Sequence, residues 1–150
     1  MEKFVIQGGV PLSGTFVPAG NKNGALPAIA AALLTDDEVV IRNVPRIRDV
    51  EAQLELIADL GARAAWIDEN AVAIRADTVA KTDLDRELSE RIRASFLLAG
   101  PLLARFGRAF MPPPGGDVIG RRRLDPHLDA FKALGAEIER VEDGDRIHAR

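Results

Sequence analysis

The residues of this chain best suited to chemistry are cations placed where helices begin. In Pro18-Ala19-Gly20-Asn21-Lys22-Asn23-Gly24-Ala25 a strand gives way to a glycine loop and then to a helix. That helix is expected to begin near Asn23, with Pro27 in its first turn. Lys22 then stands at a helix N-terminus, where unpaired N–H groups and the macrodipole favour an anion. A lysine adds to that positive field, which is locally unfavourable unless something negative binds. The alternative is a solvated loop lysine. Arg91 and Arg93 adjoin a helical run, Phe96, Leu97, Leu98, Leu102 and Leu103, that is otherwise apolar. Arginines so placed either snorkel to the surface or act as anion ligands.

The strongest local signal is the stretch from Pro112 to His127. Pro112, Pro113 and Pro114 stiffen its entry, and Gly115 and Gly116 permit unusual backbone angles. One acid, Asp117, follows, and then Arg121, Arg122 and Arg123 stand in a row. Asp125-Pro126 reads as an N-cap and first-turn pair, so the arginines precede another helix start. Guanidinium groups bind phosphate bidentately, and a plain surface loop is the alternative. A nucleic-acid patch is disfavoured, because no aromatic residues are interleaved and the chain carries a net charge of −3. His127 and His148 have no second ligand at metal spacing, so no metal site is expected. His148 alternates with Ile147 on a strand and reads as structural.

Composition narrows the chemistry further. The chain has 150 residues, 47% of them hydrophobic, enough for a core at this length. It has no cysteine, which excludes disulfides, thiolate metal sites and a cysteine nucleophile. The N-terminus lacks the pattern of a signal peptide, and the longest apolar stretch, Ala25 to Leu34, is too short to span a bilayer. A soluble cytoplasmic protein is the expectation, with no nucleic-acid or membrane partner.

The elements that must hold these residues are repeated. Leu60-Gly61-Ala62 recurs as Leu134-Gly135-Ala136, each copy closing an amphipathic helix. Val50, Leu54, Ile57 and Leu60 line the first helix; Leu128, Phe131 and Leu134 line the second. A hairpin follows each: Arg63–Ile67 with Ala71–Arg75, and Glu137–Val141 with Arg146–Ala149. Upstream of each lies a more apolar helix, Asn23–Leu34 or Glu87–Arg105, and a short strand, Glu38–Arg42 or Arg108–Met111. Gly100-Pro101 should kink or break the second apolar helix. The chain thus divides into two pseudo-repeats, 21–78 and 86–150. A unit of about 70 residues is too long for a typical solenoid and suggests a pseudo-symmetric domain. Phe4–Gln7 and Thr15–Val17 read as two strands outside the repeat.

These segments together resemble the enolpyruvyl transferase superfamily over nearly the whole chain. The resemblance rests on Phe4 to Gly8, Gly20 to Pro27, Arg42-Asn43-Val44-Pro45 with Asp49-Val50, Arg93-Ala94-Ser95, and Gly115-Gly116 with Ile119-Gly120 and Arg122. Lys22-Asn23 favours the branch that uses UDP-N-acetylglucosamine over the shikimate-using branch, which typically carries Lys-Ser there. The resemblance implies an α/β (α+β) fold, an inside-out α/β barrel of repeated βαβαββ units with buried apolar helices. It places residues 1–20 in a second lobe and 21–150 in an incomplete N-terminal lobe. It implies transfer of the enolpyruvyl group of phosphoenolpyruvate to UDP-N-acetylglucosamine, without a cofactor, in peptidoglycan synthesis.

Residue by residue, Lys22 and Asn23 resemble the pair that contacts phosphoenolpyruvate, and Lys22 and Asp117 are the catalytic candidates. Arg93 resembles a residue of the sugar-nucleotide and phosphate site. Arg122, Arg123, Leu124, Asp125 and Pro126 resemble the segment that holds the UDP portion. Asp117 stands where a mobile-loop cysteine is usual, and Arg123 where proline is usual. Family members are far longer than this chain, so a fragment that needs the C-terminal lobe is expected. The competing readings are a shikimate-type transferase and a non-catalytic nucleotide-binding repeat module.

Overall fold

The computed structural model describes residues 3–116, 120 and 123–149. Helix α1 spans Lys22–Ala31 and continues as a 3-10 turn, Ala32–Leu34. Asn21 caps it: its side-chain oxygen accepts from the N–H groups of Asn23 (2.7 Å) and Gly24 (3.2 Å). Lys22 is therefore the first helical residue, and Pro27 falls in the second turn, one turn later than expected. The helix buries Ala25, Leu26, Ile29 and Ala30.

Strand β1 (Val39–Arg42) leads to α2 (Arg48–Asp59) and the hairpin β2 (Arg63–Asp68) and β3 (Ala71–Arg75). As its apolar periodicity predicts, α2 buries Val50, Leu54 and Ile57, and Leu60 just beyond it is fully buried. Gly61 ends the run with φ of 106°, a left-handed angle that glycine adopts without a Cβ penalty. β3 lies between β1 and β2, antiparallel to both, and sets Ile74 opposite Val39 and Ala64. Ile74 is fully buried.

The second half repeats this plan. Helix α3 (Arg86–Arg91), a 3-10 segment (Arg93–Leu98) and α4 (Ala99–Phe106) lead to β4 (Arg108–Met111). Helix α5 (Asp125–Ala133) then precedes β5 (Glu137–Val141) and β6 (Gly144–His148). β6 lies between β4 and β5, antiparallel to both, which is the strand order of the first sheet. One hydrophobic cluster runs from α1 and α2 through both sheets to Leu128 of α5 and Ile147 of β6. The molecule is therefore a mixed α/β structure with one continuous hydrophobic core.

Four expectations are corrected. The continuous helix over Glu87–Arg105 is broken at Ile92, whose φ of −141° and ψ of 143° are extended, and not at Gly100-Pro101. Gly115 and Gly116 donate their N–H groups to the carbonyls of Ser89 (3.1 Å) and Glu90 (3.3 Å), so these groups are satisfied without a continuing helix. The Ser95 hydroxyl donates to the Ile92 carbonyl at 3.0 Å. Pro101 instead occupies the third position of α4, where a missing N–H costs nothing.

Asp125 does not cap α5; it is the first helical residue, and Leu124 holds the cap position. Leu134, expected on the buried face of α5, is 86% exposed, while Leu128 is buried and Phe131 is partly so. Residues 3–20 form no strand. Phe4, Val5, Ile6, Phe16 and Val17 all lie exposed, and among the described residues no strand pairs with them.

Candidate functional site

Four helical segments begin around one cleft of about 480 Å³. Lys22 and Asn23 come from the first turn of α1, and Asp49 from the first turn of α2. Arg93 opens the 3-10 segment, and Leu124 and His127 belong to the cap and first turn of α5. Helix starts carry partial positive charge, although at α1 the N–H groups of Asn23 and Gly24 are already taken by the Asn21 side chain. Lys22, Arg91 and Arg93 add three full positive charges to the described lining, against the single carboxylate of Asp49. The local sign is thus opposite to that of the chain, whose net charge is −3. The arrangement suits a polyanion.

Each side chain is set by its own element. The Lys22 ammonium donates to Asp49 Oδ2 at 2.6 Å, which bridges the starts of α1 and α2. Arg91 is held from the other side by Glu55 (2.7 Å) and by Glu87 (3.3 Å), one turn back on α3. Arg93 reaches across the cleft, and its guanidinium donates to the Arg123 carbonyl at 3.0 Å. The Phe96 ring packs against the His127 ring with centroids 5.6 Å apart, giving the cleft an aromatic wall beside its charges.

The glycine pair closes the geometry. A Cβ on Gly115 would lie 1.6 Å from the Glu90 carbonyl oxygen, so only glycine permits this approach. Gly116 has φ of 91° and lies on the cleft beside Arg93. The loop that leads to Asp117 is thereby pinned to the break between α3 and the 3-10 segment.

Arg123 grips Asp125 with two hydrogen bonds, 2.8 and 3.0 Å. That bond to Arg123 is the main reason the Asp125 carboxyl is held down at about 2, below its ordinary 3.8. The same bond raises the Arg123 guanidinium above its usual range.

Of the residues read from sequence as site candidates, Lys22, Asn23, Arg93 and Leu124 line this cleft. Arg123 and Asp125 flank it through the contact with Arg93, and Pro126 sits in the first turn of α5. Asp117 and Arg122 lie outside the described residues. Sequence reasoning missed Asp49 and His127 as cleft residues. Asp49 had a signal, as an acid in the first turn of an amphipathic helix within a quoted motif. His127 was weighed only as a metal ligand. Among the described residues no group of histidines and carboxylates is placed to hold a metal ion. None of their helices is long and apolar enough to cross a membrane.

The site is thus a cationic cleft built from helix starts on a mixed α/β fold. The chain belongs to the EPSP synthase family: the profile described as EPSP synthase (3-phosphoshikimate 1-carboxyvinyltransferase) matches residues 6–148. It is 57% identical over 136 residues to a UDP-N-acetylglucosamine 1-carboxyvinyltransferase of Bradyrhizobium diazoefficiens, covering 91% of this chain and 32% of the relative. A protein of the same name from Treponema denticola is 48% identical over 139 residues, covering 93% and 33%.

Among solved structures, the enolpyruvyl transferase NikO of Streptomyces tendae superposes with a TM-score of 0.76 at 27% identity, over 95% of this chain and 31% of that one. EPSP synthase of Acinetobacter baumannii superposes at 0.64 with 18% identity, over 91% and 32%, a likeness of fold alone. The chain spans about a third of the length of the curated relatives it matches.

Proposed function

We propose that this chain is part of an enolpyruvyl transferase that moves the enolpyruvyl group of phosphoenolpyruvate onto the 3′-hydroxyl of UDP-N-acetylglucosamine and releases phosphate. That reaction would be the first committed step of peptidoglycan synthesis in the cytoplasm. The observation that carries the reading is the convergence of Lys22, Asn23 and Arg93 with four helical starts on one cleft. The names of relatives 57% and 48% identical to the chain supply the acceptor.

The chemistry is addition followed by elimination. The 3′-oxygen forms a bond to C2 of phosphoenolpyruvate, its proton passes to a base, and C3 takes a proton from an acid. The C2–O bond to phosphate then breaks, C3 gives up a proton, and the double bond returns. Lys22 and Arg93 neutralise the phosphate and carboxylate charges in a site closed to water, where one preorganised donor is worth about 3 kcal/mol. Asn23 positions phosphoenolpyruvate beside Lys22. The segment Arg122, Arg123, Leu124, Asp125 and Pro126 holds the UDP portion.

Asp117 is the proton donor to C3 in this reading. A carboxyl with an ordinary value of about 3.9 must be raised by burial or by the bound phosphate to act as an acid near neutrality. Gly115 and Gly116 anchor the foot from which its loop reaches the substrates. The base belongs to a second lobe, against which the exposed segment of residues 3–20 packs. Residues 21–150 then form two of the βαβαββ units of an inside-out barrel.

The test is phosphate release by the full-length chain, with phosphoenolpyruvate and either UDP-N-acetylglucosamine or shikimate 3-phosphate as acceptor. Turnover with the sugar nucleotide alone supports the proposal, and turnover with the shikimate compound replaces it. Calorimetric binding of UDP-N-acetylglucosamine without turnover would make this a nucleotide-binding module. The 150-residue chain alone is expected to bind without turnover.

A further inference from the structure

We propose that His127 is a further binding residue for the sugar nucleotide: its imidazole, backed by the Phe96 ring, donates a hydrogen bond to an oxygen of the diphosphate. The proposal rests on the transferase reading above and adds a residue to it. His127 lies in the first turn of α5 and lines the cleft together with Lys22, Arg93 and Leu124.

The start of α5 has few other donors for an anion. Leu124 stands at the cap position without a side-chain cap. In the first turn, the N–H of His127 donates to the Leu124 carbonyl at 2.9 Å, and Pro126 has no N–H. Asp125 turns its N–H to its own carboxylate. Arg123 commits Nε and Nη2 to that same carboxylate, at 2.8 and 3.0 Å. Arg123 and Asp125 thus neutralise one another, and the backbone donors of this corner are taken. An anion seated here needs a side-chain donor. Among the described residues, the imidazole of His127 is the one that α5 brings to the cleft.

The ring is held for that role. Phe96 is 4% exposed and belongs to the hydrophobic core, so it forms a fixed surface. The His127 ring packs on it with planes tilted by 52°, and the 5.6 Å between centroids is a distance at which aromatic pairs attract. This contact restrains the imidazole without engaging its nitrogens. Among the described residues neither ring nitrogen has a hydrogen-bond partner. An imidazole always carries at least one N–H, which an anion can accept. A donor already held in place loses little freedom when the ligand arrives.

The experiment titrates the full-length chain by calorimetry with UDP-N-acetylglucosamine, inorganic pyrophosphate and uridine. It compares wild type, His127→Phe and His127→Gln, with thermal melting to check folding. His127→Phe keeps a ring on Phe96 and removes the donor; His127→Gln keeps an N–H and removes the ring. His127→Phe is expected to bind UDP-N-acetylglucosamine and pyrophosphate about tenfold more weakly, the loss of one hydrogen bond to a charged group, and uridine as the wild type does. His127→Gln should recover part of that loss. Undiminished affinity of His127→Phe for the two phosphate ligands overturns the proposal. So does a Gln variant weaker than the Phe variant, which would make the ring an apolar wall, or an equal loss for uridine. A wild type that binds the sugar nucleotide without turnover overturns the transferase reading and leaves the binding series to decide this proposal. A wild type that does not bind it overturns both.

Discussion

The Arg93 guanidinium donates to the backbone carbonyl of Arg123 at 3.0 Å, joining the start of the 3-10 segment to the entry of α5 across 30 residues of sequence. One side chain thus both faces the cleft and braces the segment proposed to hold the nucleotide.

Arg93→Ala should therefore remove a cation and a brace together. A hydrogen bond from a charged group contributes about 1.5–3 kcal/mol, which corresponds to about 10–100-fold weaker binding of UDP-N-acetylglucosamine. Calorimetry on the full-length chain measures it. Arg93→Lys restores the charge but not the planar fork, and should recover only part of the affinity. Undiminished affinity in Arg93→Ala would remove this residue from the nucleotide site.

The Arg123–Asp125 pair carries a pH dependence whose sign is fixed. Arg123 holds the Asp125 carboxyl at about 2, below the ordinary 3.8. A depressed value means that the contact contributes fully above the ordinary value and is lost as pH falls through the lowered one. The segment at the entry of α5 should therefore loosen between about pH 4 and pH 2. Carboxyl carbon NMR titration reads the Asp125 value directly. Arg123→Ala should return it towards 3.8, and a value unmoved by that change would refute the assignment.

Gly115→Ala tests how the loop is seated. The added methyl would meet the Glu90 carbonyl at 1.6 Å, a backbone atom that has nowhere to yield cheaply. The loop must lift off the α3 end, leaving the Ser89 and Glu90 carbonyls without their donors. A loss of about 2 kcal/mol or more in stability is expected, with a parallel loss of turnover. Gly24→Ala is the control: no atom lies within 4 Å of the added methyl, and the site should be undisturbed.

Much of this was legible from sequence because the signals were local. The Leu-Gly-Ala repeat located two helix ends, and Gly61 and Gly135 both adopt the left-handed angles such ends use. Lys22 and Arg93, which line the cleft, could be singled out as candidates from their position before apolar helices. The break at Ile92 was not legible, because its cause lies in Gly115 and Gly116, over twenty residues downstream. Gly100-Pro101 drew the expectation instead, since a proline is read as a breaker until its place in a first turn is known. Asp49 was missed for the same kind of reason: its ion pair with Lys22 spans 27 residues. Phe4–Gln7 and Thr15–Val17 read as strands, but a strand needs a neighbour, and among the described residues none pairs with them.

Asp117 in the place of a cysteine predicts resistance to fosfomycin. That epoxide phosphonate is opened by a thiolate, and a carboxylate is a much poorer nucleophile towards it. The full-length chain should keep its turnover after prolonged incubation, and Asp117→Cys should make it sensitive. Time-dependent inactivation of the wild type would sink this prediction.

Arg105 separates stability from function. Its Nη1 donates to the carbonyls of Leu33 (2.7 Å) and Ala76 (3.2 Å), and its Nη2 pairs with Asp36. The side chain thereby ties the end of α4 to the end of the first apolar helix and to the chain leaving β3. It is only 19% exposed, so removing it takes a charged donor from two carbonyls in a place water reaches poorly, of which Ala76 keeps the Val79 N–H. Arg105→Met should cost about 2–4 kcal/mol, seen as a lower urea midpoint with an unchanged slope. Arg105→Lys should recover little, since one ammonium cannot reproduce the fork to three acceptors. These contacts sit at the C-terminal ends of helical runs whose N-terminal ends, at Lys22 and Arg93, form the cleft. Ligand affinity per folded molecule should accordingly stay within twofold or so of wild type. A drop in affinity as large as that from Arg93→Ala would mean that the two ends of the helical core are coupled.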